Sequence, residues 1–252
     1  MLEHIIATRY VLPLREGGSL PGLMEADDLG TYIVKFSGAG QGKRVLVAEI
    51  IAAAVARSIG LRTPDLKLIE LPAPIAKYEA DEEAQDLLTA SIGLNLASDF
   101  LPGSFAFDDG GKISADESAK ILWLDLLIGN PDRTWRNPNL LMWHRDLWCI
   151  DHGAAFYPHH GWGEAVDPAK FDRPLMDIAT HVMAPYADEM PAIHEQLVTL
   201  AATAPLSETL ESIPDDWLTG IGRDPQDARE IYRAYLAARM ADPTPWIAGL
   251  RR

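Results

Sequence analysis

The chain has 252 residues, 48% hydrophobic and 23% charged, which is ordinary for a globular protein and enough for one large domain or two small lobes. A formal charge of −15, with no basic group denser than Arg133/Arg136 and Arg251-Arg252, argues against direct contact with nucleic acid. No apolar run reaches the roughly 18 residues of a spanning helix, Met1-Leu2-Glu3-His4 lacks the basic start of a signal peptide, and the single cysteine, Cys149, permits no intramolecular disulfide; a cytoplasmic protein with no membrane partner is expected.

The first forty residues read as strands. Ile5 to Leu14 and Leu29 to Phe36 are rich in β-branched and aromatic residues. Between them lies Arg15 to Gly22, where Gly17, Gly18 and Ser19 suit a loop whose backbone N–H groups could cover phosphates. A second glycine-rich stretch, Ser37 to Gly42, competes for that role but reads better as a linker. Lys43 to Ile59 is alanine-rich with helical spacing and stops at Gly60. Leu66 to Leu71 is extended, Asp81 to Ser91 a polar helix, and Leu94 to Leu101 extended again up to Pro102-Gly103.

After that joint the texture changes. Ser118 to Ile128 is a helix apolar on nearly every side, so it should be buried. Leu140 to Trp143 and Leu147 to Ile150 read as short strands flanking His144-Arg145-Asp146. From Arg173 onward the pattern is helical, broken by prolines. The fold class expected is α+β: a β-rich amino lobe over residues 1–101 and a helical carboxyl lobe over residues 102–252.

The chemistry concentrates in Gly129-Asn130-Pro131-Asp132-Arg133-Thr134-Trp135-Arg136-Asn137 and in Ile150-Asp151-His152-Gly153. An Asp, an Asn five residues on and a second Asp fourteen beyond that form the order D-x-x-x-x-N then D-x-G. Phosphoryl transfer from a nucleotide needs this set: Asp132 to orient and deprotonate a hydroxyl, Asn137 and Asp151 to hold magnesium on the phosphates. Turn-capping roles are the structural alternative for Asp132 and Asn137. Lys35, inside Tyr-Ile-Val-Lys-Phe, and Glu49, inside Val-Ala-Glu-Ile-Ile, are both out of place among apolar neighbours, and an ion pair that presents Lys35 to a nucleotide phosphate explains them together. An edge-strand lysine and a surface glutamate are the alternative. His152 stands out only by abutting Asp151; His4, His144, His181 and His194 read as isolated structural or surface residues.

These segments resemble the HipA-like family of atypical serine/threonine kinases, whose two-lobed fold is shared with phosphatidylinositol kinases. The resemblance runs through Tyr32 to Phe36, Glu49, Ile59 to Asp65, Leu126 to Asn137 and Ile150 to Gly153. It implies a bilobal protein-kinase-like fold, ATP and Mg²⁺ as cofactors, Lys35 on the phosphates with Glu49 as its partner, Asp132 as base, and Asn137 with Asp151 on the metal. A protein Ser/Thr acceptor rests on the resemblance alone. A small-molecule or lipid-headgroup hydroxyl and a nucleotide-binding pseudokinase acting as a regulatory module are the alternatives. The family usually has a His two residues after its catalytic Asp, where this chain has Thr134, and its phosphate loop often carries a Lys that Gly17 to Gly22 lacks. Ser19, the only hydroxyl in that loop, is a candidate for self-phosphorylation.

Overall fold

The computed structural model describes residues 2–14, 20–77, 79, 81–108, 113–171, 173–242 and 246. It divides into two units, Met1–Leu46 with Pro64–Pro102, and Val47–Thr63 with Gly103–Arg252. Residues 47–63, which the sequence places with the amino lobe, therefore group with the second unit.

The first unit is a closed five-stranded barrel. Strands β1 (Glu3–Pro13), β2 (Gly22–Ala26), β3 (Thr31–Lys35), β4 (Leu66–Leu71) and β5 (Gly93–Asp99) run in the order β1-β2-β3-β5-β4, and a parallel pairing of β1 with β4 closes the ring. Closure leaves the sheet no unpaired edge. Alternation along β3 sends Tyr32 and Val34 into the core with Ile5, Met24, Phe36, Ile69 and Leu71, and leaves Lys35 half-buried on the opposite face. Lys35 thus occupies an inner strand, flanked by β2 and β5.

Strand β2 is absent from the sequence reading. Its residues, Gly-Leu-Met-Glu-Ala, include no β-branched or aromatic side chain, so local propensity points away from a strand. Pairing with β1 on one side and β3 on the other overrides that preference. A short helix α2 (Ala73–Ala76) was likewise not expected, whereas α3 (Glu82–Ala90) was; Asp81 caps it by accepting from the Ala84 N–H at 3.1 Å.

Helix α1 (Arg44–Ser58) ends before Gly60, which takes φ of +83° as a left-handed stop. Its continuation in the second unit is buried through Val47, Ala48, Ile51, Ala52, Val55 and Ala56. Helix α4 (Ala115–Ile128) is capped by Ser114 and is buried along Ile121, Leu122, Trp123, Leu124, Leu126, Leu127 and Ile128, as its all-round apolar sequence demands. Strands β6 (Phe105–Ala106), β7 (Leu140–Trp143) and β8 (Asp146–Cys149) form a three-stranded antiparallel sheet. His144 and Arg145 both have positive φ, the primed-turn conformation that matches strand twist.

The region after Arg173 departs from expectation. Residues 178–180 and 184–189 are 3₁₀ segments of three and six residues, and regular helices begin only with α5 (Met190–Ala201), followed by α6 (Leu206–Glu211) and α7 (Pro225–Ala241). Most prolines there start helices rather than break them: Pro191 and Pro225 lie in first turns and Pro205 is an N-cap, positions where the missing N–H has no helical partner to lose. From α7, buried Arg239 donates to the carbonyls of Leu127 at 2.7 Å and Leu126 at 2.6 Å, which satisfies the open end of α4. No described helix is long and apolar enough to cross a membrane.

Helix α4 stops at Gly129, whose φ is +65° and whose added Cβ would lie 2.8 Å from Leu175 Cδ1 and 3.1 Å from the Tyr235 hydroxyl. Gly129→Ala is expected to destabilise the protein by about 1–2 kcal/mol from the left-handed backbone, plus the clash. Gly40→Ala, which meets open space, should leave the urea midpoint within error of wild type.

Candidate active site

The chain leaves the buried end of α4 by turning sharply. The N–H groups of Gly129 and Asn130 both bond to the carbonyl of Asp125, and Asn130 then uses its side chain twice. Its Nδ2 donates to Asp125 Oδ1 at 2.9 Å and its Oδ1 accepts the Asp132 N–H at 3.2 Å. Asp132 is thereby placed, half-buried, at the start of a tight loop.

Two amides orient its carboxylate. Asn137 Nδ2 and Asn139 Nδ2 donate to the same oxygen, Asp132 Oδ2, at 2.9 and 3.0 Å. Asp132 Oδ1 accepts no hydrogen bond among the described residues. Because Asn137 spends its NH₂ on Asp132, its amide oxygen is left for another partner. Thr134 closes the loop: its N–H and carbonyl pair with Asn137 at 3.0 and 3.1 Å, and its hydroxyl accepts the Asn137 N–H at 3.2 Å. The residue that replaces the expected His therefore shapes the segment that presents Asn137.

Asp151 follows β8. The Ile150 N–H donates to the Asn139 carbonyl at 3.0 Å, which joins the strand end to the Asp132 loop. Asp151 has φ of +52°, a conformation rare outside glycine but several-fold enriched for Asp and Asn, and such outliers gather at functional sites. Next to it, His152 is buried with Nδ1 at 3.6 Å from Oε2 of Glu49 on α1. Asp132, Asn137, Asp151 and Glu49 all lie in the second unit, and the bonds just described bring the first three into one loop-and-strand assembly.

Lys35 lies in the first unit beside a small pocket lined also by Phe36, Ala39, Gln41, Gly42, Val45 and Leu46. The second glycine-rich stretch thus forms part of the wall next to Lys35. It is anchored by Ser37 N–H on the buried Asn95 Oδ1 at 2.8 Å and by Gly38 N–H on Ser91 Oγ at 3.1 Å. Gly17, Gly18 and Ser19 lie outside the described residues.

Sequence reasoning missed the layer beneath the site. Asp125 and Arg133 are both 0% exposed and pair through Arg133 Nε and Asp125 Oδ2 at 2.6 Å. Arg133, which the sequence shows only as half of a small basic group with Arg136, is a core residue. His181, read as isolated, bonds to the same Asp125 oxygen through Nε2 at 2.9 Å. The Met183 N–H donates to His181 Nδ1 at 3.0 Å, so Nδ1 is the acceptor and Nε2 carries the proton. The available signal was Asp125 itself, a carboxylate in an apolar helix, the same oddity that singled out Glu49.

Burial alone would push the Asp125 carboxyl up; the Arg133 charge and the His181 hydrogen bond outweigh it and hold the group at about 2. Burial pushes the Cys149 thiol up to about 12, so it behaves as a small core side chain, as expected from Trp148 and Ile150 beside it.

No group of three or more His, Cys, Asp or Glu that could hold a metal occurs among the described residues. The oxygen donors expected from the sequence are the Asp151 carboxylate and the Asn137 amide oxygen. An all-oxygen pair of this kind fits Mg²⁺, which takes phosphate oxygens and water for its remaining positions.

A family defined as HipA-like kinase matches residues 8–238. The chain belongs to the HipA-like kinase family. Membership makes it a kinase and spans both units. Among solved structures, the HipA-like chain is similar to the Helicobacter pylori proinflammatory kinase CtkA, at 12% identity over 97% of this chain and 96% of that one, with a TM-score of 0.49. It is also similar to the Golgi casein kinase, at 11% identity over 95% of this chain and 73% of that one with a TM-score of 0.41. The same enzyme with Mn and ADP bound gives 11% identity over 100% and 73%, with a TM-score of 0.45. A search of the curated proteins finds no match.

Asp125 gives the stability of this HipA-like chain one pH-dependent contribution. Its folded-state value lies below the roughly 3.9 of an unfolded Asp, so the stabilisation is complete above about pH 4 and is lost as pH falls toward 2. Asp125→Ala, which strands Arg133, is expected to cost about 3–5 kcal/mol at pH 7. The gap between wild type and variant in urea melts should narrow between pH 4 and pH 2.

Proposed function

We propose that this HipA-like kinase binds ATP with magnesium and transfers the γ-phosphoryl group to a hydroxyl, with a protein Ser/Thr as acceptor. The observation that carries the reading is the Asp132 carboxylate, fixed on one oxygen by two amide donors while the other accepts no hydrogen bond among the described residues. An oriented carboxylate with one open oxygen suits a group that aligns a hydroxyl and accepts its proton.

In this reading Asn137 and Asp151 hold magnesium, which supplies charge neutralisation on the phosphate oxygens during transfer. The chain's own work is positional. Asn137 ties the metal side of the site to the base through its Nδ2, so acceptor and phosphate share one rigid frame. Lys35 contributes a cation to the phosphates, with Glu49 as its partner, and the wall formed by Ala39, Gln41 and Gly42 gives the nucleotide a surface beside that lysine. The proposed lobes are residues 1–101 for phosphate binding and 102–252 for base and metal, with Glu49 supplied by α1. Acidic composition and the lack of a basic stripe support action without direct nucleic-acid contact, and a cytoplasmic enzyme with no membrane partner is part of the same reading.

Calorimetry with ATP and magnesium tests binding. Wild type should bind, and Asp151→Ala should lose the magnesium-dependent part; equal affinity in the two proteins, or none in either, removes the reading. Asp132→Asn should keep nucleotide affinity and lower turnover by about 10²–10⁴-fold. Radiolabel transfer to a protein panel rather than a metabolite or lipid-headgroup panel is expected; transfer only to the latter reassigns the acceptor, and binding without any transfer makes the chain a regulatory pseudokinase.

A further inference from the structure

The proposed metal ligands come from two chain segments, which the bond from the Ile150 N–H to the Asn139 carbonyl joins at 3.0 Å. Magnesium demands near-ideal octahedral geometry, so Asn137 and Asp151 must be held apart within about 0.5 Å. The structural question is what spans the two segments. Arg133 does. Its Nη1 donates to the carbonyl of Asn139, two residues after Asn137, and lies 3.4 Å from the carbonyls of both Pro138 and Ile150, the latter immediately before Asp151. The Asn139 carbonyl receives the Ile150 N–H as well, so one oxygen takes a donor from each side.

The guanidinium is itself immobilised. Nε is bonded to Asp125 Oδ2, Asp125 Oδ1 is bonded to Asn130, and His181 donates its Nε2 proton to the shared oxygen. The segment bearing His181 is tied to the loop by Val182 N–H on the Arg133 carbonyl and Trp135 N–H on the Thr180 carbonyl, each at 3.2 Å. We propose that Arg133, oriented by Asp125 and His181, is a positioning clamp that fixes the Asn137 segment against the Asp151 segment, and so sets the geometry of the metal site. The clamp rests on the assignment of Asn137 and Asp151 as metal ligands. It makes His181 a positioning residue, although it lies 56 residues from Asp125 in sequence. A lysine at 133 keeps the charge but has no planar fork to serve Asp125 and the carbonyls together.

Two measurements on Arg133→Lys, His181→Leu and His181→Gln test the clamp. In hydrogen exchange without nucleotide, Arg133→Lys should speed exchange in residues 134–140 and 147–156 while the barrel strands exchange as in wild type. Exchange unchanged in those two segments, or raised uniformly through residues 103–242, overturns the clamp. In calorimetry with ADP, Arg133→Lys should raise Kd by about 10–100-fold in magnesium, as loss of an outer-shell partner does, and leave Kd unchanged in EDTA. Equal loss in both conditions also overturns it. His181→Leu should show the same pattern with Arg133 present, which covers the case of an unfolded Arg133→Lys, and His181→Gln, whose side-chain amide can still donate to Asp125, should restore wild-type values. A wild type that binds no ADP in either condition removes the nucleotide reading instead, and the exchange data then decide the clamp alone.

Discussion

One buried ion pair organises the second unit. Taking a carboxylate and a guanidinium fully out of water costs several kcal/mol per ion, and their attraction offsets this only when the remaining donors and acceptors are satisfied. Asp125 meets that condition with three donors, from Asn130, Arg133 and His181, while Arg133 Nη2 has no hydrogen-bond partner among the described residues. The need to satisfy them fixes where α4 ends, how the Asp132 loop turns back and which way residues 180–182 run. Remove the pair and each of these segments loses the contact that orients it.

Rigidity at the site comes from this layer more than from the site residues themselves. Asp132, Asn137 and Asp151 are half-buried or exposed, on loops and a strand end, where backbone order is easily lost. Beneath them lie a helix buried on all sides, a buried guanidinium and a backbone bond between Asn139 and Ile150. Arg239 closes the open carbonyls of α4 from the far end of the chain, so the base of the loop is anchored on both sides. A chemically versatile surface on a stiff support is what positional catalysis requires.

The first unit solves a different problem. Its barrel must hold a charged lysine on a central strand without burying it, and period-two alternation does so: Tyr32 and Val34 fill the interior and Lys35 projects to the other face. The glycine-rich turn after β3 is secured by a buried asparagine and a serine, which gives the wall beside Lys35 a defined shape.

The sequence by itself determined the elements whose signals are local. Helix α1 with its Gly60 stop, the buried α4, the β7–β8 hairpin and the Asp132, Asn137 and Asp151 spacing all depend on residues close together in the chain, and periodicity or motif order reveals them. Strand β2 was decided by tertiary structure, because Gly-Leu-Met-Glu-Ala has no strand preference until β1 and β3 flank it. So was Arg133: the sequence shows it only as one member of a small basic group, and only the fold brings it to Asp125, whose other partner His181 lies 56 residues from that carboxylate. The physical reason is common to both. Burial, and the pairing that burial makes obligatory, is a property of the assembled chain, and no window of sequence contains the partners that decide it.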